Sequence, residues 1–242
     1  MSRRTATALA LISLGLVGLA GCGGSGGSDS TTTSAGVTTA PATVPPPVAT
    51  APLPTPSVPA TAPTAPFGAE SLPPENAVPG VGPGEARTIA TAKELVDVLY
   101  QAGDPTKPAA QARLEDEGYA GGILRDQAGT DPTTGLALLR SYAIRLRDEA
   151  AARDEVSAAI DEVRRSSAGG SSDVEVSGIP DAEALRVQVT QGGLSGTVVF
   201  VTFPAGGAVY GIQGVSANGP DVPQDQIIGA ARALAKRVGA TP

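Results

Sequence analysis

The run Val198-Val199-Phe200-Val201-Thr202-Phe203-Pro204-Ala205-Gly206-Gly207-Ala208-Val209-Tyr210-Gly211-Ile212 decides the fold class. Its first six residues are all β-branched or aromatic, types that suit a pleated surface. The run is apolar on both faces, which places it in the interior of a sheet and not at its edge. Pro204-Ala205-Gly206-Gly207 is a turn, and residues 208–216 read as a second strand, so the two form an antiparallel hairpin. Upstream, across Gly192-Gly193, residues 185–190 supply a third strand.

Downstream, the spacing of Ile227, Ile228, Ala231, Leu234, Ala235 and Val238 predicts an amphipathic helix over Gln224–Val238. Pro223 suits its first turn. Asp225 sits near the positive end of the helix dipole, and Lys236 and Arg237 near the negative end.

Before a flexible break at residues 168–172 lies another helix, capped by Asp148 and ending near Ser166. Its apolar stripe is Ala152, Val156, Ala159, Ile160 and Val163. The opposite face carries Arg153, Asp154, Glu155, Asp161, Glu162, Arg164 and Arg165, which reads as solvated mixed charge. Residues 119–126 and 136–147 read as two strands around a turn at 128–132. The Leu, Ala and Arg content of 136–147 suits a helix as well, and Arg140 interrupts its apolar face. Thr91 with Glu94 forms a capping box for a helix that ends at Gly103, and a short helix follows over residues 109–117.

The element order implies an α+β domain over residues 86–242. It is expected to hold a largely antiparallel sheet of about five strands, with helices packed on one face. Residues 23–85 carry 14 of the chain's 22 prolines among Thr, Ala, Ser and Gly, with no Lys or Arg. Such a segment buries too little apolar surface to offset its ordering entropy, so residues 22–85 are expected to form a disordered linker. Where proline recurs every two or three residues it favours extended polyproline II and acts as a stalk.

The chain opens with Arg3 and Arg4, an apolar core over residues 6–19, and then Leu19-Ala20-Gly21-Cys22. The apolar core falls short of the roughly 20 residues that a spanning helix needs. The arrangement resembles the type II signal peptide and lipobox of bacterial lipoproteins. That resemblance implies cleavage between Gly21 and Cys22, loss of residues 1–21, and diacylglyceration of the Cys22 thiol. It also implies a protein held through its acyl chains at the outer face of the cytoplasmic membrane, two chains being enough for stable anchoring. The stretch from Val198 to Val238 is similar in outline to small α+β domains, some of them PsbP-like, of actinobacterial envelope lipoproteins.

The formal charge is −7, and loss of Arg3 and Arg4 would take it to −9 (−7 − 2). A surface this acidic is repelled by nucleic-acid phosphate, so no nucleic-acid partner is expected. The chain has no histidine and one cysteine. This excludes a Ser-His-Asp triad and His-ligated zinc; with Cys22 assigned to the anchor, thiol catalysis and disulfides are also excluded. Gly193-Leu194-Ser195-Gly196-Thr197 approaches a nucleophile elbow but lacks its last glycine. None of Lys93, Lys107 and Lys236 follows a serine by three residues. No catalytic residue, metal or cofactor is therefore assigned.

Two weaker constellations remain. Glu115-Asp116-Glu117 with Asp104 or Asp131 could hold calcium or form a hydrolytic carboxylate pair. Tyr100, Tyr119, Tyr142 and Tyr210, if gathered at one mouth of the sheet, could bind a sugar or an aliphatic ligand. The reading that follows is a non-catalytic binding or interaction module with an envelope protein, glycan or lipid as partner. Its alternatives are a carrier of a lipid or other apolar ligand and a carboxylate-only hydrolase.

Overall fold

The computed structural model describes residues 67–100, 102–167, 170–191, 194–217 and 221–240. Gly21, Cys22, the signal segment, the linker up to residue 66 and the Gly192-Gly193 turn lie outside the described residues.

Seven antiparallel strands form one sheet in the order β1-β2-β3-β7-β6-β5-β4. The strands are β1 (Ala86–Ile89), β2 (Gly122–Ala128), β3 (Leu138–Arg145), β4 (Ser171–Asp173), β5 (Glu183–Gln191), β6 (Leu194–Ala205) and β7 (Ala208–Val215). The helices are α1 (Ala92–Leu99), α2 (Lys107–Asp116), α3 (Glu149–Ser166) and α4 (Gln224–Val238). The α+β antiparallel architecture is the expected one, and residues 136–147 hold a strand.

The β6–β7 hairpin closes on two residues. Ala205 pairs with Ala208, and Gly206 and Gly207 have φ of 56° and 76°. Two successive positive φ values are what a tight hairpin turn matching the strand twist requires, and glycine adopts them without penalty. The capped starts of α1 and α3 are also as read, whereas α2 begins at Lys107, two residues earlier than read. Thr91 accepts a hydrogen bond from the Glu94 N–H at 3.1 Å, and Asp148 accepts one from the Ala151 N–H at 2.9 Å.

The sheet has two strands more than the five expected. The additions, β1 and β4, are its edges, and β4 is Ser-Ser-Asp with no apolar residue. Helices also cover both faces. Ala152 and Val156 of α3 pack with Leu124, Ile144 and Val209, and the α1 and α2 residues Leu95 and Leu114 join them. On the opposite face Ile227, Ala231 and Leu234 of α4 pack with Val199, Val201, Phe203 and Ile212. A strand as apolar on both sides as β6 leaves hydrocarbon exposed unless both faces are covered.

The packed chain begins before Ala86, which corrects the linker boundary at residue 85. Leu72 and Val78 are 0% and 1% exposed and belong to the α4-side core. The Phe67 ring meets Tyr210 edge-on at 6.3 Å, with the Arg145 guanidinium 4.5 Å from the Phe67 centroid. Carbonyls in this proline-rich stretch are satisfied by side chains. Arg125 donates to Pro73 O at 2.9 Å, Gln127 to Glu75 O and Gly82 O at 2.9 Å each, and Arg237 to Leu72 O at 3.0 Å. Composition pointed to a solvated linker, but long-range donors on β2 and α4 give the segment a place to pack.

Candidate functional site

β3, β6 and β7 present Arg140, Tyr142, Phe200, Thr202 and Gln213 toward α3 through the period-2 alternation of their side chains. Between them and α3 lies a cavity of about 150 Å³. Its α3 wall holds Ala159, Ile160, Glu162, Val163 and Ser166, and Leu99, Tyr100, Asp104 and Thr106 from the end of α1 and the following loop complete it. Gly211 makes room for one wall: a Cβ at that position would run into the Tyr142 ring.

Arg140, the interruption in the apolar pattern of 136–147, is 6% exposed. It is held by Asp126, its register partner on β2, through bonds of 2.7 and 3.0 Å to the two carboxylate oxygens. A bidentate guanidinium–carboxylate pair of this kind fixes orientation as well as charge.

Beside the cavity stands a charge cluster that corrects the reading of the polar face of α3. Glu155 is 6% exposed. Its two oxygens accept from Arg113 of α2 at 2.7 and 3.3 Å, and Glu162 accepts from the same guanidinium at 3.2 Å. Seven residues separate the two glutamates, two helical turns, so both face α2. Burial is the largest single influence on Arg113 and opposes its charge, but the hydrogen bond and charge of Glu155 together with Tyr100 and Glu162 overcome it and raise the pKa. Glu117 adjoins the cluster. Burial first, and then the charge of Glu155 and a hydrogen bond to it, push the Glu117 carboxyl up to about 8.

The pH consequence of Glu117 has a definite sign. The unfolded chain releases this proton near 4.5, whereas the folded domain retains it to about 8. Stability therefore falls as pH rises between those values, and the loss is complete above the upper one. Glu117→Gln keeps a donor to Glu155. It is expected to stabilise the domain at pH 8 by on the order of 1 kcal/mol, a figure reduced for solvent screening at this part-exposed site, with no gain near pH 4. Urea midpoints at the two pH values measure it.

The other sequence candidates are used locally. Asp104 accepts from the Thr106 N–H and hydroxyl at 2.9 and 2.7 Å, and Asp131 from the same groups of Thr133 at 2.8 and 2.6 Å. Glu115 accepts from Gln111 at 2.8 Å. Among the described residues no group of three or more potential ligands is placed to hold a metal ion. Ser195 lies within β6 opposite Thr190, on a strand and not at a strand-to-helix turn.

The tyrosines divide. Tyr100 and Tyr142 line the cavity, Tyr119 donates to Ile89 O at 3.0 Å, and Tyr210 stacks on Phe203 at 5.4 Å on the α4 face. Burial raises the pKa of all four, that of Tyr142 to about 12, and the carboxylates Glu162 and Glu155 add to the rise at Tyr100. Folded protein is expected to show no phenolate step near pH 10 in an absorbance titration. An unfolded tyrosine ionises there, so stability drains from that pH upward.

Two buried oxygens near the cavity lack hydrogen-bond partners among the described residues: Glu162 Oε1 and Thr202 Oγ1. Sequence reading missed both, along with Glu155. The available signal was the seven-residue spacing of Glu155 and Glu162; nothing local marks Thr202, whose role depends on the β6 register.

Among the described residues no helix is long and apolar enough to cross a membrane. No protein-family model matches the chain, and no curated protein matches it. Among solved structures the chain is similar to the extracellular domain of PknH from Mycobacterium tuberculosis, with a TM-score of 0.42 and 12% identity over 65% of this chain and 84% of that one.

Proposed function

We propose that the chain is an envelope lipoprotein, anchored through an acylated Cys22, whose α+β domain binds a small ligand in the cavity beneath α3. The observation that carries the binding reading is the cavity: aromatic walls from Tyr100, Tyr142 and Phe200, with the polar residues Arg140, Asp104 and Thr106 also on its lining. Binding sites of this kind pair an apolar lining with a few placed polar groups.

Size selects among the alternatives. A cavity of ~150 Å³ takes one benzene-sized molecule, and sites for larger ligands run from about 300 Å³ upward. A diacyl lipid is too large, so the small-ligand reading is preferred to the lipid carrier. Hydrolysis is less well supported than binding. Both Glu155 oxygens accept from Arg113, which commits that carboxylate to an ion pair and leaves it unsuited as a reacting group.

A thermal-shift panel of single-ring compounds tests the cavity. Binders are expected to raise the melting temperature of the wild type. Gly211→Ala, which drives the Tyr142 ring from its seat, is expected to weaken them tenfold or more; equal binding by both proteins would contradict the site. Mass spectrometry of membrane fractions tests the anchor separately: a mature N-terminus other than Cys22, or an unmodified thiol, would end that part.

A further inference from the structure

Accepting the cavity as the binding site, we propose that its ligand is uncharged: a single ring or short branched hydrocarbon carrying one hydroxyl or carboxamide group, which the side-chain amide of Gln213 receives.

The charged groups on the walls are already committed. Arg140 gives Nε and Nη2 to the two oxygens of Asp126 and Nη1 to Val98 O. Glu162 holds Arg113 through Oε2, and its other oxygen is sealed from solvent next to the Tyr100 hydroxyl. The Thr202 hydroxyl is sealed in the same way next to that of Tyr142. Asp104 is half-exposed and accepts the Thr106 N–H and hydroxyl, so its own turn and the solvent stabilise its charge. An ion of either sign entering the cavity would surrender its hydration without meeting a free counter-charge, and such a transfer is costly.

Gln213 differs from these groups. It lies on the sheet floor of the cavity between Arg140 of β3 and Phe200 of β6, its register partners on either side. Because every guanidinium nitrogen of Arg140 is spent on Asp126 and Val98, the neighbouring amide is left over. Gln213 is half-buried, and among the described residues its amide makes no hydrogen bond, yet neither amide atom is sealed from solvent. The amide offers an N–H donor and a carbonyl acceptor together. A hydroxyl or carboxamide can use both, whereas a carboxylate or an ammonium can use only one of them. The surroundings suit the rest of the molecule: Leu99, Leu138, Ile160 and Val163 present hydrocarbon, and Tyr100 and Phe200 present rings. Hydrocarbon-lined voids of about this size stay dry and take up benzene.

Titration of the full-length chain with toluene, benzyl alcohol, benzylammonium and benzoate separates charge, polarity and shape, because the four share a ring. Calorimetry gives affinity, the ring resonances of Tyr100 and Tyr142 give location, and the side-chain amide protons of Gln213 report the polar contact. Benzyl alcohol is expected to bind at least tenfold more tightly than either ion and to move the Gln213 amide protons downfield, which toluene does not. Gln213→Leu is expected to weaken benzyl alcohol about fivefold, in keeping with one neutral hydrogen bond, and to leave toluene unchanged or tighter. The amide shift is read in the wild type, so it stands as a test should Gln213→Leu fail to fold. Either ion binding as tightly as the alcohol, a Gln213 amide unmoved by saturating alcohol, or a variant that treats alcohol and toluene alike would overturn the inference, while shifts at Tyr100 and Tyr142 would leave the cavity reading standing. If none of the compounds moves those two rings, both fall.

Discussion

Replacing Arg113 with Met is expected to cost about 3–5 kcal/mol, because it strips the cation that pairs with a buried group of carboxylates while keeping most of the side-chain volume. Among the described residues, Arg113 alone pairs with Glu155 and Glu162, whose side chains are 8% and 15% exposed. A loss of that size is a large share of the roughly 5–15 kcal/mol that stabilises an ordinary domain. For a domain of this length it corresponds to a fall on the order of 10 °C in melting temperature. The pH dependence identifies the cause. Buried carboxylates left without a cation repel one another, so the deficit is expected to be larger at neutral pH than in acid. Adding Glu155→Gln removes one orphaned charge and should restore part of the loss. An Arg113→Met deficit identical at pH 5 and pH 8 would assign the effect to packing instead. Denaturant titrations of the single and double variants at both pH values decide it.

The second large effect concerns where the domain begins. A fragment starting at Ala86 is expected to lose cooperative unfolding and to bind hydrophobic dyes, whereas one starting at Phe67 retains both the transition and the dye-free surface. Leu72 and Val78 are fully buried, and each such side chain contributes about 1.5–3 kcal/mol on burial. Removing their segment also deprives buried Arg125 and Gln127 of Pro73 O, Glu75 O and Gly82 O. An orphaned buried polar group costs a further 1–3 kcal/mol or so. The sum approaches the whole stability of a modest domain. Near-ultraviolet dichroism and dye fluorescence of the two fragments compare them. A shorter fragment as cooperative as the longer one would restore the boundary at residue 85.

The elements legible in the sequence were those whose signal is local. The Thr91–Glu94 and Asp148 caps, the Gly206-Gly207 turn and the apolar stripe of α4 each depend on neighbours within a few residues. Residues 136–147 were ambiguous because Leu, Ala and Arg suit either period; pairing with both β2 and β7 makes them a strand. The edges were not legible. β4 has no apolar residue, and β1 buries only Ile89, so each exists through its partner's ladder. The proline-rich segment of residues 67–85 misled for a related reason. Its composition suits a linker, and only Arg125, Gln127 and Arg237, distant in sequence, provide the donors that seat it.

The candidate site followed the same division. The tyrosines could be named but not sorted, since β3, β6 and β7 register decides that Tyr142 faces α3 while Tyr210 faces α4. Arg140 looked like a flaw in an apolar face until Asp126 was found opposite it. Glu155 was read as solvated because helical periodicity separates apolar from charged positions and is blind to a cation arriving from another helix.

The most direct measurement of the binding account is a tyrosine-ring NMR titration of the full-length chain with a neutral single-ring probe such as benzyl alcohol. The account predicts that Tyr100 and Tyr142 shift together and saturate while Tyr119 and Tyr210 stay in place. Movement at Tyr210 in their stead, or saturating probe with all four rings unmoved, would contradict it.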